Sequence, residues 1–541
     1  MRRREFLETS VVGGVAASLG PVLVSPSRRP GPGPEPPAVP AFELEEVTVA
    51  QLQDGMRSGR WTAKRIVELY LERIEQLDRG GPRVNSVIEL NPDAQAIAES
   101  LDAERRSGKL RGPLHGIPIL IKDNIDTADR MRTSAGSLAL AESTPPRDAF
   151  IVERLRAAGL VLLGKVNLSE WANFRSTHSS SGWSGRGGQT RNPYVLDRNP
   201  CGSSSGSGAA CSANFAALAI GTETDGSIVC PSSINGLVGV KPTVGLWSRS
   251  GIIPISATQD TAGPMCRTVT DAAMLLGALA GVDQRDAATA ASRGHARADY
   301  AAGLDAGALK GARIGVARKG FGFSDKVEAV FKEVLVALKD AGALLVDPAD
   351  VPDLEKQAKG LETELMLFEF KAGVQAYLAS LGPKAPARTL KDLIEFNEKN
   401  RDREMPFFGQ ENFLKAETKG PLTDPRYLAA KQTLRRASRT QGLDLLLARH
   451  RLDAIVAMTI GPAWPIDLVN GDRFTGGSTS VPAVAGYPDI TLPAGQVHGL
   501  PVGLSFFGAA WSEAKLLRYA YAFEQATKAR KPPAFLATLP T

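Results

Sequence analysis

Cysteine and histidine are scarce in this 541-residue chain, and the shortage narrows its chemistry. Four cysteines (Cys201, Cys211, Cys230, Cys266) are too few for a disulfide scaffold, and none falls in a C-x-x-C pair. The five histidines (His115, His178, His295, His450, His498) include no H-x-H or H-E-x-x-H spacing, so no signature of a metal centre is present. No apolar run reaches the roughly 18 residues of a membrane span. Mean hydropathy is −0.11, which with that lack excludes a multi-span membrane protein. Neither sign of charge dominates: 64 Lys and Arg face 58 Asp and Glu. No stretch gathers basic residues with interleaved aromatics, so nucleic-acid binding has no support. Glycine and proline, by contrast, are plentiful, at 54 and 36 residues. They predict many tight turns in a chain long enough to bury a large core.

The first forty residues read as a leader and a spacer. Arg2-Arg3-Arg4-Glu5-Phe6-Leu7 precedes a short stretch of small and apolar residues, so residues 1–24 resemble a twin-arginine export signal. Residues 25–40 carry seven prolines and read as an extended spacer. Such a leader implies the twin-arginine export machinery as a partner and a periplasmic location. No clean A-x-A triplet marks a cleavage site, which leaves N-terminal membrane anchoring open. A chain that folds before export meets a reducing cytosol first, so its cysteines are expected as buried free thiols.

From residue 41 onward helices alternate with short buried strands. Thr48 and Thr62 are placed to cap two opening helices. The run at 117–121 is short, continuously apolar and β-branched, as a strand buried on both faces would be. Residues 151–158 read as a helix, 159–164 as a second buried strand, and 309–317 repeat the rhythm. This alternation predicts an α/β fold with a sheet covered by helices. Residues 354–450 are helical and charged, with little strand signal, and read as a cap or peripheral layer.

Residues 176–250 stand apart, with 12 Gly and 15 Ser in 75 positions. A flexible linker is one reading, but residues 209–220 look like an Ala-rich helix. A phosphate cradle is another; it lacks the third fingerprint glycine, a preceding strand and a Gly-Lys-Ser/Thr. A catalytic serine loop is the third.

Ordered motifs favour the third reading. Gly112-Pro113-Leu114-His115-Gly116-Ile117-Pro118 leads to Lys122-Asp123-Asn124, followed by the Ser/Gly loop at 202–208. Gly221-Thr222-Glu223-Thr224-Asp225-Gly226-Ser227-Ile228 and Gly239-Val240-Lys241-Pro242-Thr243 come next, and Gly486-Tyr487-Pro488 lies near the end. In these blocks the chain resembles the amidase signature family over about 43–530. The wording around Asn167 to Trp171, Cys201 to Gly208 and Thr224 to Ser227 is most like its peptide amidases, which remove ammonia from C-terminal peptide amides. The resemblance implies a large mixed, twisted sheet with helices on both faces and a peripheral helical layer. It implies no cofactor and no metal.

The resemblance also implies roles. Ser227 would be the nucleophile, Ser203 the bridging serine after a cis peptide, and Lys122 the base. Gly202 would allow the close approach, and backbone N–H groups of Thr224, Asp225, Gly226 and Ser227 would form the oxyanion hole. Ser204 would support the relay or serve as a turn serine. Lysine is a base only when neutral, so burial must bring its pKa down from about 10.4. Period-2 alternation aims Lys122 and Asn124 to one face and Asp123 to the other. Two positions depart from the family pattern. Asp225 stands where many relatives have glycine, and is expected to point away from the oxyanion and accept from a substrate or backbone N–H. Cys201 replaces the first glycine of the serine loop. Phe174, Trp183 and Trp464 are candidates for an aromatic substrate cleft or for core packing. The resulting expectation is an exported Ser–cis-Ser–Lys amidase acting on small-molecule or peptide amides, foremost on peptide C-terminal amides. The alternatives are a broader small-amide or aryl-amide hydrolase and, from another class, an exported cofactor-binding redox protein.

Overall fold

The computed structural model describes residues 39–540, apart from 321, 323, 352 and 353. The expected leader, and the spacer up to residue 38, lie outside the described residues. Thr48 and Thr62 cap the helices Val49–Ser58 and Ala63–Ile74, Thr48 in a reciprocal capping box with Gln51.

Among the described residues thirteen strands follow in chain order, beginning with β1 Val87–Leu90, β2 Pro118–Lys122, β3 Val161–Val166, β4 Trp183–Ser184, β5 Gly188–Gln189, β6 Leu218–Glu223 and β7 Val238–Lys241. The later ones are β8 Thr261–Cys266, β9 Arg313–Val316, β10 Leu344–Val346, β11 Ala454–Met458, β12 Asp489–Val497 and β13 Leu500–Phe507. Strands β4 and β5 pair only with each other. The remaining eleven form one mixed sheet in the order β1-β3-β2-β6-β8-β7-β12-β13-β11-β9-β10. The expected α/β architecture is therefore present, with helices packed against the sheet. The helices Ser205–Ser212 and Val229–Ile234 contact each other and sheet strands, while Val269–Leu279 and Asp325–Asp340 both contact Glu513–Thr527 in a second group.

Residues 209–220 depart from the expected Ala-rich helix. The helix runs Ser205–Ser212, and Leu218–Glu223 is strand β6. Residues Leu218 to Ile220 pair in parallel with Ile119 to Ile121 and antiparallel with Pro264 to Cys266. Ladder bonds on both edges and complete burial outweigh the modest helix preference of alanine. This strand positions the site. Because β2 and β6 are parallel neighbours, Lys122 and Thr222 arrive at the same end of the sheet, where open α/β sheets place their chemistry.

Residues 354–450 hold a series of helices, of which Leu361–Ser380 is the longest in the region. Phe370, Val374, Leu378, Leu393 and Phe413 form an apolar cluster with Trp171 and Phe174. The helical layer thus packs on the loop that follows β3. Among the described residues no helix is long and apolar enough to cross a membrane.

Candidate active site

Lys122 ends β2 fully buried, and its ammonium reaches only neutral oxygens. Nζ lies 2.8 Å from Ser203 Oγ, 3.0 Å from Ser204 Oγ, 2.8 Å from Thr222 Oγ1 and 3.2 Å from the Thr222 carbonyl. Burial pulls its pKa down to about 7, against a smaller upward pull from the Asp260 and Glu223 carboxylates. Asn124 Nδ2 donates to the same Thr222 hydroxyl at 3.0 Å. Asp123 faces the opposite way, toward Ser134, the Gly136 N–H and Arg186. The alternation expected from the sequence keeps this carboxylate off the lysine.

The serine loop approaches Lys122 through a cis Gly202–Ser203 bond. Ser203 is fully buried, and its carbonyl accepts from the Ser169 N–H at 3.1 Å. A Cβ on Gly202 would fall 2.1 Å from Ser169 Oγ, so only glycine fits. Ser204 Oγ donates to the Thr222 carbonyl at 3.0 Å and accepts from the Thr222 N–H at 3.1 Å. It therefore belongs to the lysine network rather than to a local turn.

Ser227 sits on the turn between β6 and the helix Val229–Ile234. Its carbonyl accepts from the Ser204 N–H at 3.2 Å, which ties the two serine loops together. Gly226, at φ 76°, makes the turn. Glu223, which sequence reasoning passed over, holds it: its carboxylate accepts from the N–H groups of Gly226 (3.0 Å), Ile228 (2.7 Å) and Val229 (3.0 Å). The Gly226 N–H, one of the four donors expected for an oxyanion hole, thus has a partner within the protein. Asp260 was also missed. It accepts from Thr224 Oγ1 at 2.6 Å and from the N–H groups of Ile255 and Ser256, and burial pushes its pKa up to about 6.

Asp225 accepts from the Thr479 hydroxyl at 2.7 Å, not from a backbone N–H. Burial raises its pKa. With Asn173, Phe174, Gly202 and Ser227 it lines a cavity of about 490 Å³, which Met366 of the helical layer and Phe474 help to enclose. Two of the aromatic candidates lie outside this lining. Trp183 packs edge-on against Phe407 and Phe408, with the Arg175 guanidinium near its face, as a core residue. Trp464 donates its indole N–H to Asp472 at 3.2 Å and supports Phe474 from behind. The aromatic partners of Trp183, Phe407 and Phe408, lie far away in sequence, so its direction was invisible there.

The thiol expectation holds for two cysteines and fails for two. Cys211 and Cys266 are buried free thiols. Cys201 and Cys230 form a disulfide, with Cα atoms 6.2 Å apart. The bond joins the residue before Gly202-Ser203 to the helix that follows Ser227. Folding back of the chain between β6 and β7 brings the two together, a long-range approach no local pattern signals.

Known proteins share this arrangement of chain. The sequence matches the protein family described as Amidase over residues 65–517. A probable amidase of Arabidopsis thaliana is 43% identical over 504 residues, which cover 92% of this chain and 93% of the relative. Among solved structures, native peptide amidase from Stenotrophomonas maltophilia aligns with a TM-score of 0.88 at 53% identity, covering 92% of this chain and 100% of that one. An amidase family protein from Bacillus anthracis aligns with a TM-score of 0.82 at 37% identity, with 91% and 93% covered. This chain belongs to the amidase signature family.

Proposed function

We propose that this amidase hydrolyses the C-terminal carboxamide of peptides, releasing ammonia through a Ser–cis-Ser–Lys acyl-enzyme mechanism. The observation that carries the mechanism is the 2.8 Å contact between Ser203 Oγ and a fully buried Lys122 Nζ, whose pKa is near 7. A lysine so placed is substantially neutral at neutral pH, and its lone pair is free to take the Ser203 proton.

Ser227 Oγ attacks the carboxamide carbon and gives its proton to Ser203 Oγ, while the Ser203 proton passes to Lys122 Nζ. The negative charge on the carbonyl oxygen meets the backbone N–H groups of Thr224, Asp225 and Ser227. The proton then returns from Lys122 through Ser203 to the amide nitrogen. The C–N bond breaks and ammonia leaves. Water attacks the Ser227 ester by the same relay, releasing the carboxylate and restoring the serine.

The substrate reading rests on the 53% identity to a peptide amidase and on a cavity of about 490 Å³, roomy enough for amino-acid side chains. An ammonia-release screen across amidated dipeptides, free amino-acid amides and aryl amides tests it. Amidated dipeptides are expected to give the highest kcat/KM. A clear preference for aryl amides would replace the reading with a broader amide hydrolase.

We further propose export by the twin-arginine machinery and a periplasmic location, with residues 1–24 as the signal. The Cys201–Cys230 disulfide supports this, being the kind of bond that oxidising compartments sustain. Fractionation of cells producing the full chain and an Arg3→Lys/Arg4→Lys form is the test. Unchanged distribution would remove the proposal.

A further inference from the structure

The segment between β11 and the helix Ser480–Ala485 runs along the serine cavity and gives Ile460, Phe474 and Thr479 to its lining. It is pinned at two points. At the first, the Asp472 carboxylate accepts from the Ser181 N–H (3.0 Å) and hydroxyl (2.5 Å), from Asn199 Nδ2 (3.2 Å) and from the Trp464 indole (3.2 Å). At the second, Ser478 donates its N–H to the Thr459 carbonyl and its hydroxyl to the Met458 carbonyl, both at 3.1 Å. Between these pins Phe474 rests on Trp464, ring centroids 4.8 Å apart, and remains 57% exposed.

One further bond joins this segment to the nucleophile turn. Thr479 stands at the N-cap of the helix Ser480–Ala485, where a threonine hydroxyl ordinarily accepts from a first-turn N–H. It makes no such cap bond, and its hydroxyl donates to Asp225 at 2.7 Å instead. The two segments are closely packed here: a Cβ on Gly226 would lie 3.2 Å from Thr479 Oγ1. Asp225 and Gly226 immediately precede Ser227. The wall that bears Phe474 is therefore latched to the turn that carries the attacking oxygen.

The chemistry of the lining indicates what this wall meets. Reaction places the substrate's carboxamide carbon at Ser227 Oγ, so the side chain on the adjoining α-carbon falls within the same cavity. Phe174, Ile255, Met366 and Ile460 share the lining with Phe474, and its one carboxylate, Asp225, is already bonded to Thr479. An apolar side chain there exchanges water for apolar surface. We infer that Phe474 packs on an apolar side chain of the amidated C-terminal residue, and that the Asp225–Thr479 bond holds Phe474 in place for that contact. Asp225, through its side chain, and Thr479 are positioning residues, acting through the segment they join. The inference rests on the peptide-amide reading above and deepens it by naming the class of C-terminal residue.

The test compares amidated dipeptides that differ only in ending on leucine, lysine or glycine. The unmodified enzyme is expected to favour leucine over glycine by about tenfold or more in kcat/KM. Phe474 is largely exposed, so Phe474→Ala leaves the core intact. It is expected to lower kcat/KM for the leucine amide by about 5–20-fold and for the glycine amide by less than about threefold. Thr479→Val keeps the shape and loses the hydroxyl, and is expected to lower the leucine-to-glycine ratio by about twofold to fivefold, whereas Thr479→Ser keeps the ratio. An unchanged ratio in Phe474→Ala, or a ratio that Thr479→Ser lowers as far as Thr479→Val does, would overturn the inference. So would a preference for lysine over leucine, which would give the Asp225 carboxylate to the substrate. An unmodified enzyme that releases ammonia from aryl amides and from none of the dipeptides would instead overturn the peptide-amide reading, and the inference with it.

Discussion

Two lysines lie fully buried on neighbouring strands, Lys122 on β2 and Lys165 on β3, and their surroundings set them to different tasks. Lys165 donates to the carbonyls of Ile125 (2.7 Å) and Arg132 (3.1 Å) and to Thr133 Oγ1 (2.8 Å). Those three acceptors match the three protons of an ammonium. Asp123 and Asp126 nearby favour the charged form, against burial, which still lowers its pKa. Lys122 meets three hydroxyls and one carbonyl, and its pKa falls to about 7. Hydroxyls can donate as well as accept, so they solvate either protonation state; carbonyls can only accept. The comparison teaches that burial alone does not make a lysine a base. The neighbours must also accommodate its neutral form.

The largest effect expected from breaking this comparison is on catalysis. Lys122→Met and Ser227→Ala should each lower ammonia release by about 10³-fold or more. The melting temperature of Lys122→Met should hold or rise, because a desolvated amine gives way to an apolar chain. A variant that keeps near-normal turnover would remove Lys122 from the mechanism. Lys165→Met should do the reverse. The Ile125 and Arg132 carbonyls and the Thr133 hydroxyl would then lose a buried donor, and stability should drop by about 1–3 kcal/mol in a denaturant titration.

Next comes the covalent tie beside Lys122. Replacing both Cys201 and Cys230 by serine should cost about 2–4 kcal/mol of stability, read as a lower urea midpoint. Lys165 has no such tie, and a reductant should leave the Lys165→Met deficit unchanged. The gentlest perturbation is pH. Only neutral Lys122 accepts a proton, so kcat/KM should fall about tenfold per unit as pH drops below about 7, and level off above it. The sign for stability is related. Unfolded lysine keeps its proton up to about pH 10.4, whereas Lys122 in the fold loses it near 7, so the unfolded state binds more protons between these values. The cost of burying Lys122 is therefore full below pH 7 and shrinks as pH rises. The stability gained by Lys122→Met should be larger at pH 6 than at pH 9, and a gain that grows with pH would contradict the assignment.

Much of this site was legible before any coordinates. The apolar run before Lys122 announced a buried strand, and its alternation separated Lys122 and Asn124 from Asp123. Threonine caps at 48 and 62 were readable because capping is a matter of three or four consecutive residues. What escaped was whatever depends on partners distant in the chain. Asp260 reaches Thr224, Asp472 takes the Ser181 hydroxyl, and Trp183 packs on Phe407 and Phe408, all across long stretches of chain. The stretch at 209–220 was misjudged for a related reason. Its helix preference is local, while the two ladders that make it a strand come from β2 and β8.

The alternating α/β plan and the chemical inventory stand in the chain itself: a lysine at a strand end, two serines on glycine-rich loops, and the family they spell. These are matters of residue type, period and order along the chain. Only the fold brings three hydroxyls and one carbonyl to Lys122, two carbonyls and one hydroxyl to Lys165, and Cys201 to Cys230. Desolvation, long-range pairing and the direction of a hydrogen bond belong to the space between segments, and only folding brings those segments together.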